Sequence, residues 1–273
     1  EQKTAFINLL KLKKMKKRIA LACITAAGFS LVLLSGCKKL LDYIHPKPDD
    51  KGKNCRIERA TWNATVPSYP DLGPFFDTAW FAYNAHGNPV SVKYYHGDEI
   101  FTNNKVFKYD HHKRLTVYLE GAPNTSIALF WHKYTYIGDY VIIDSTFVYG
   151  EGDWSANDRP AHFDRLEVTT YDLDAYGRVK KEVGGPFNVT LYYSYDANGN
   201  LVKPGVSYSN KTNIRQISKV WMFLDRDYSI NSPNGAASQY NQHKLPVKLI
   251  EMPHFIHEFG GDYHDIVVNY KCK

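Results

Sequence analysis

A chain of 273 residues with 44% hydrophobic and 23% charged side chains can bury a real core in one or at most two domains. Its 21 tyrosines and 15% aromatic content favour strands. The net charge of +6 comes from the first 36 residues, which carry seven of the 34 Lys/Arg and one of the 28 Asp/Glu, so from Cys37 onward the two signs balance at 27 each. A balanced surface argues against nucleic acid as a partner, because that partner demands a basic footprint.

Residues 1–14 precede the first methionine and read as an upstream extension, with translation expected to start at Met15. Met15-Lys16-Lys17-Arg18 is a positively charged start, and Ile19 to Leu34 is an apolar run of 16 residues. That is short for a membrane span of about 20 residues and right for a signal peptide over 15–36. Leu34-Ser35-Gly36-Cys37 resembles the lipobox of bacterial lipoproteins. The resemblance implies that Cys37 is acylated and becomes the mature N-terminus, so that the membrane is a partner. Lys38, where many inner-membrane lipoproteins carry Asp, implies the outer membrane. The other readings of the same pattern are an uncleaved anchor and an ordinary secretory signal. Residues 37–54, with His45-Pro46-Lys47-Pro48 and Asp49-Asp50-Lys51-Gly52, read as a tether whose coil reaches about 20–25 Å.

The β domain is expected over 55–273. It opens on Cys55-Arg56-Ile57-Glu58-Arg59-Ala60-Thr61 and closes on Ile266-Val267-Val268-Asn269-Tyr270-Lys271-Cys272, both strand-like. Cys23 leaves with the signal and Cys37 takes lipid. Cys55 and Cys272 then remain, either bridged in an oxidising compartment or as two free thiols.

Within the domain one short turn recurs. Its copies are Phe81-Ala82-Tyr83-Asn84-Ala85-His86-Gly87-Asn88-Pro89, Phe107-Lys108-Tyr109-Asp110-His111-His112-Lys113-Arg114-Leu115, Tyr171-Asp172-Leu173-Asp174-Ala175-Tyr176-Gly177-Arg178-Val179, Tyr193-Ser194-Tyr195-Asp196-Ala197-Asn198-Gly199-Asn200-Leu201, and a degraded Tyr240-Asn241-Gln242-His243-Lys244-Leu245-Pro246. Asp or Asn caps a type I turn by accepting backbone N–H groups. A residue at positive φ three positions on then makes a hairpin with a bulge. Gly87, Gly177 and Gly199 suit that position, whereas Lys113 and Lys244 carry strain there. The aromatics two residues apart, such as Phe81 with Tyr83 and Phe107 with Tyr109, should share one face of a strand.

Strands are expected at Pro89–Tyr95, Arg114–Leu119, Leu129–Tyr136 and Tyr140–Tyr149, the last two flanking a Gly138-Asp139 hairpin, then at Asp164–Asp172, Arg178–Val183 and Phe187–Tyr195. Gly150 to Pro160 is a polar loop. Asn210 to Asn234 breaks the pattern. Ile214, Ile217, Val220, Trp221 and Leu224 have helical spacing with Thr212 or Asn213 as a cap, although Lys219–Leu224 also reads as a strand. The copies are unevenly spaced, which excludes a strict solenoid. The fold class is mainly β: an antiparallel meander sheet of repeated hairpins, curled or two-layered, with at most one short helix besides the signal peptide. The Tyr-Asp-x-x-Gly-Arg/Asn turns resemble the YD repeats, the Rhs-type hairpins of bacterial surface proteins. That resemblance implies β architecture and an envelope location and no activity.

Candidate chemistry is thin. His254-Phe255-Ile256-His257-Glu258, with His264, matches no zinc signature. Asp196-x-Asn198-x-Asn200 opens like a calcium loop, but the turn already accounts for it. Asp225 and Asp227 are paired carboxylates with Arg226 between them as counter-ion, and Asp172 lies beside the turn residue Asp174. Trp131-His132-Lys133-Tyr134-Thr135-Tyr136 is the densest aromatic run, a sheet core by preference and otherwise a stacking face. No catalytic, metal or cofactor residues are assigned. The expected protein is a non-enzymatic, lipid-anchored envelope module that binds glycan or a surface protein, or a structural stalk or scaffold without a ligand. The alternative is a glycan-acting hydrolase built on Asp225 or Asp227. The insertions between turns are where function is to be sought.

Overall fold

The computed structural model describes residues 55–65, 75–95, 104–121, 126–256 and 262–272, all within one compact unit, Asp49–Lys273. The expected signal peptide and tether, with Cys37, lie outside the described residues, as do His257 and Glu258.

The strands follow in chain order: β1 (Cys55–Thr65), β2 (Phe75–Tyr83), β3 (Pro89–Tyr95), β4 (Asn104–Tyr109), β5 (Leu115–Gly121), β6 (Ile127–Ile137), β7 (Val141–Glu151), β8 (Arg165–Leu173), β9 (Val179–Gly184), β10 (Val189–Tyr192) and β11 (Tyr208–Thr212). A 3-10 turn (Ile214–Ile217) and helix α1 (Lys219–Leu224) come next, then β12 (Asn231–Pro233), β13 (Ala237–Tyr240), β14 (Pro246–Leu249) and β15 (Asp262–Cys272). Thirteen strands form one sheet in the order β10-β9-β8-β7-β6-β5-β4-β3-β2-β1-β15-β14-β13, and β11 pairs with β12 separately. The sheet pairings are antiparallel, as the meander expectation requires, and the sheet stays open: β10 and β13 each have one neighbour. The terminal strands β1 and β15 meet inside the sheet. Cys55 faces Cys272 across the first rung, and the two are joined by a disulfide that spans 217 residues of sequence.

All five turns form. The first backbone hydrogen bond of each runs from the fourth residue to the Asp or Asn carbonyl, at 2.9–3.0 Å. The side-chain oxygen accepts as well, as where Asp196 Oδ1 takes the N–H groups of Asn198 and Asn200 at 2.9 and 2.8 Å. Lys113 and Lys244 do sit at positive φ, 65° and 61°, in the place held by glycine in the other copies. The side-chain cap therefore imposes the conformation even where a Cβ opposes it, at a cost of about 1–2 kcal/mol.

A second link ties each turn to a segment further along the chain. The carbonyl five residues after the Asp or Asn accepts a tyrosine hydroxyl from further along the chain: Tyr109 to Pro89, Tyr136 to Leu115, Tyr195 to Val179, Tyr208 to Leu201 and Tyr270 to Pro246, at 2.5–3.2 Å. In the sheet copies that residue lies past the last rung to the neighbouring strand, for example beyond Ser91↔Val106 and Val117↔Lys133. Its carbonyl has no ladder partner, and the hydroxyl supplies one. Where Arg follows the turn, it adds a clamp. Arg114 pairs with Asp110 at 2.8 Å and lies 4.4 Å over the Tyr136 ring. Arg178 pairs with Asp174 at 2.7 Å and lies 4.0 Å over Tyr195.

One face of the sheet is covered by the 3-10 turn and α1 and by Phe255 and Ile256. The helical spacing from Ile214 to Leu224 is split, because Ser218 adopts an extended conformation and its side chain caps the N-terminus of α1 while Asn213 caps the 3-10 turn. The short α1 delivers two rings to the sheet. Trp221 stacks on Phe255 at 4.7 Å and meets Phe81 and Phe107 edge-on. Phe223 meets Tyr134 and Tyr171 the same way. On the opposite face Trp131 is fully buried with Val117, Leu119 and Phe147. There the polar loop acts as a lid: Trp154 lies against Gly121, where a Cβ would come within 2.4 Å of its ring, and Asp158 O accepts from Trp131 Nε1 at 3.1 Å.

Removing one hydroxyl link should be measurable. Tyr109→Phe and Tyr136→Phe are each expected to lower the unfolding free energy by about 1 kcal/mol. Tyr140→Phe, on an exposed ring in the β6–β7 connection, should leave it unchanged. Urea titrations in which all three variants match wild type would contradict the link.

Candidate functional site

The insertion between the fourth and fifth turns and the segment that follows the fifth turn line a pocket of about 280 Å³ whose polar wall carries Lys203, Asn213, Arg215, Asp225 and Asp227 from the first and Glu251 and His254 from the second. Asp225 and Asp227 do come together here, but Arg226 is not their counter-ion. Arg215 is: its Nε donates to Asp225 Oδ2 at 2.5 Å, and its Nη1 lies 3.9 Å from Asp227 Oδ2. Lys203 Nζ is 3.5 Å from Asp227. The reason is local. Asp225 closes the end of α1, and Arg226 adopts φ 52°, which turns its side chain away from both acids. Burial alone would raise the Asp227 pKa, but Arg215, the Ser229 hydrogen bonds and Lys203 outweigh it and hold it below the usual range. Acid–base hydrolysis needs one carboxyl kept protonated near neutral pH. Two carboxylates gathered on one guanidinium do not provide it. Two atoms of the wall, Asn213 Nδ2 and Asp225 Oδ1, are buried without a hydrogen-bond partner, each a cost of about 1–3 kcal/mol.

Arg226 instead enters a row of buried polar groups between α1 and the sheet. Its guanidinium lies 4.1 Å over Tyr171 and 4.6 Å over Phe223, and 3.5 Å from Glu182. His132 Nδ1 bonds Asp144 at 3.0 Å and Thr146 Oγ1 at 3.0 Å. Lys105 Nζ donates to His254 O at 2.9 Å, and Tyr118 donates to Glu120. The aromatic run from Trp131 to Tyr136 is thus consumed on both faces: Trp131 is 0% and Tyr134 4% exposed, and neither ring is open to stack on a ligand.

A different set of rings is open. Phe76, Trp80 and Tyr95 are 61%, 47% and 79% exposed. They share the face opposite α1, since Tyr95 stands across from Thr78 and Trp80 across from both Arg59 and Lys93. At about 3.3 Å per residue the three rings step along the strands at about 7 Å intervals. Arg59 lies 5.3 Å over the Trp80 ring. Thr61, Thr78, Asn63 and Lys93 supply polar edges. In the sequence Phe76 and Trp80 alternate with Asp77, Ala79 and Phe81, so both faces of β2 carry rings. The cover, α1 together with Phe255 and Ile256, decides which face is closed.

The remaining sequence candidates resolve into structure. Asp196, Asn198 and Asn200 serve the turn, and Asn200 Oδ1 accepts from Asn231 N at 2.9 Å. Asp172 pairs loosely with Lys181 at 3.9 Å. His254 is exposed and His264 stands opposite Asn63 on β15. Among the described residues, His243 and the two cysteines form the one group with close metal-type ligand atoms, and both sulfurs are tied up in the disulfide.

These features define an open antiparallel sheet of turn-capped hairpins with one covering insertion. No protein-family model matches the chain, and no curated protein matches it. Among solved structures it is similar to a porin-like protein from Bacteroides uniformis ATCC 8492, with 9% identity, 80% of this chain and 96% of that chain covered, and a TM-score of 0.30. A score of that size does not establish a common fold, and function rests on this chain's own residues.

Two buried groups set a pH dependence. Burial raises the Asp77 carboxyl from 3.8 to about 7, against a smaller opposing bond from Trp62. Between those values the folded chain holds a proton that the unfolded chain has released, so stability falls as pH rises. Burial would lower His132, but Asp144 outweighs it and the net shift is upward. Its contribution is full below the unfolded pKa of about 6.5 and fades as pH climbs through the higher folded value. Thermal melts should therefore show a higher Tm near pH 5 than near pH 8, and Asp77→Asn should flatten the slope between pH 4 and 7. A Tm that rises across that range would refute the assignment.

Proposed function

We propose that this chain is a lipid-anchored protein of the bacterial cell envelope, held at the outer membrane through acylated Cys37, and that it binds glycan without cleaving it. The platform of Phe76, Tyr95 and Trp80 carries the binding reading. Flat rings at regular steps on a rigid sheet, edged by Thr, Asn, Arg and Lys, present apolar faces to the C–H sides of sugar rings and hydrogen-bonding groups to their hydroxyls. Exposed apolar groups gathered on one face mark interaction sites more often than not. The anchoring reading is supported by Met15-Lys16-Lys17-Arg18, the apolar run to Leu34 and Leu34-Ser35-Gly36-Cys37, in that order. Several acyl chains hold a protein on a bilayer stably where one would not.

Two experiments test these parts separately. Cys37→Ser should abolish lipid labelling and move the protein from the membrane to the soluble fraction, and unchanged fractionation would remove the anchor. Pull-down on insoluble chitin, cellulose and mannan should retain the wild-type protein on at least one of them. The Trp80→Ala, Tyr95→Ala double variant should bind that polymer at least about tenfold more weakly. Equal retention of the variant would exclude the platform, and retention by a partner protein alone would replace glycan with protein as the ligand.

A further inference from the structure

The turns and the point where the upstream chain enters the fold lie at the same end of the sheet. β2, β4, β6, β8, β10 and β13 run toward that end and are followed there by the five turns and the Gly138-Asp139 hairpin. β1 starts at the same end. A Cβ at Gly87 of the first turn would come within 2.9 Å of Arg56 Nη2, and Arg56 lies 5.5 Å over the Tyr83 ring. The ligand atoms of Cys55, Cys272 and His243, from the fifth turn, lie within 4.8 Å of one another. We propose that this turn end is a contact surface for the headgroups of an anionic phospholipid bilayer. Lys113 and Lys244 meet the phosphates, and Ile137, Tyr140 and Tyr176 sit at the level of the interface. The proposal rests on the reading of Cys37 as acylated and adds to it an orientation and a second membrane contact.

Three observations carry it. The first is reach. As a coil, residues 37–54 span about 20–25 Å, and they join the fold at Cys55, so the turn end stays within that distance of an anchored Cys37. The other end of β1, a strand of 11 residues, lies about 35 Å further along the sheet. The second is strain. Lys113 and Lys244 hold φ 65° and 61° where the other three turns have glycine, the residue that takes this conformation without penalty. Strain that persists where glycine would serve points to a use for the side chain. Among the described residues neither ammonium forms an ion pair. The third is the pattern of charge and rings. Asp110 and Asp174 are bound by Arg114 and Arg178, and Asp196 caps backbone N–H groups. Asp139 is left as the exposed acid of these turns. Lysines beside an anionic bilayer are attracted to it. Ile137, Tyr140 and Tyr176 are 56%, 59% and 46% exposed, and at a lipid–water interface a tyrosine finds partners for both its ring and its hydroxyl. Phe76 and Tyr95, toward the other ends of β2 and β3, are then held away from the bilayer, open to a glycan.

The test uses the full processed chain in vesicles of phosphatidylethanolamine and phosphatidylglycerol that carry a nitroxide on the headgroup. A fluorophore is placed at Tyr140→Cys, on the turn end, or at Phe187→Cys, on an exposed ring at the opposite end between β9 and β10. The label at 140 should be quenched and the label at 187 should not. The Lys113→Gly, Lys244→Gly double variant installs the residue of the other turns, and circular dichroism would confirm that it folds as wild type does. It should remain in the vesicle fraction and lose most of the quenching at 140. Replacing phosphatidylglycerol with phosphatidylcholine should cause the same loss. Equal quenching of the two labels, or quenching at 140 that the double variant retains, overturns the surface. Mass spectrometry of the processed chain reads the anchor separately. If Cys37 carries no lipid, the anchor reading fails. The surface then stands only if the unacylated chain sediments with phosphatidylglycerol vesicles and the double variant does so about tenfold more weakly.

Discussion

One side-chain oxygen accepting two backbone N–H groups organises this molecule. In the copy at Asn84 it takes His86 and Asn88, and in the copy at Asn241 it takes His243 and Leu245. Satisfying both donors fixes the turn, and closing the turn drives the fourth residue to positive φ whatever its side chain. The extra residue shifts the register, as between Ala82 and Tyr83, and carries the fifth carbonyl beyond the reach of the next strand. A tyrosine from further along the chain then takes that carbonyl, in the first three turns one from the following hairpin. Local capping thus becomes a contact between neighbouring hairpins, which is how a sheet this wide keeps its turns aligned along one end.

The part of this that was legible in the sequence was the part within nine residues. Asp or Asn, the glycine three positions on and the paired rings all act inside one hairpin, so spacing alone exposes them. Even Lys113 and Lys244 were placed correctly, although the side chain argued against the backbone. The tyrosine links were not legible. Tyr109 and Pro89 are far apart in sequence, and nothing in Tyr109 distinguishes a ring that only packs from one whose hydroxyl has a fixed acceptor. The break at Ser218 was hidden for a different reason: the apolar spacing across it is continuous, and a serine there reads as an ordinary helix residue until its cap to Val220 is seen. The counter-ion of Asp225 and Asp227 was misjudged because sequence adjacency favoured Arg226, while backbone conformation gave the role to Arg215, ten residues before Asp225.

The division of labour follows from that difference in range. In the repeated hairpins the turn acids cap backbone N–H groups or clamp arginine, while Glu120, Asp144 and Glu182 join the buried row. Open rings remain on the uncovered face of β2 and β3, the hairpin of the first turn, and unpartnered polar atoms in the insertion that carries α1. The buried row from Lys105 to Arg226 joins the sheet to its cover, since Arg226 belongs to the insertion and His254 to the segment after the fifth turn, while Lys105, Tyr171 and Glu182 belong to the sheet. The cover is therefore fastened by directional bonds as well as by the rings of Trp221 and Phe223. Such bonds fix one placement where apolar packing alone tolerates several.

The bond between Cys55 and Cys272 has a mechanical side. Cys55 begins β1, so any tension arriving along the chain from upstream enters the fold at that residue. A strand pulled from its end normally peels away rung by rung, each rung failing alone under a small load. Here the first rung between β1 and β15 is covalent. The load passes at once into β15, and the two strands can only leave the sheet together, by breaking their contacts with β2 and β14 at the same time. The sheet meets an upstream pull with two strands in place of one.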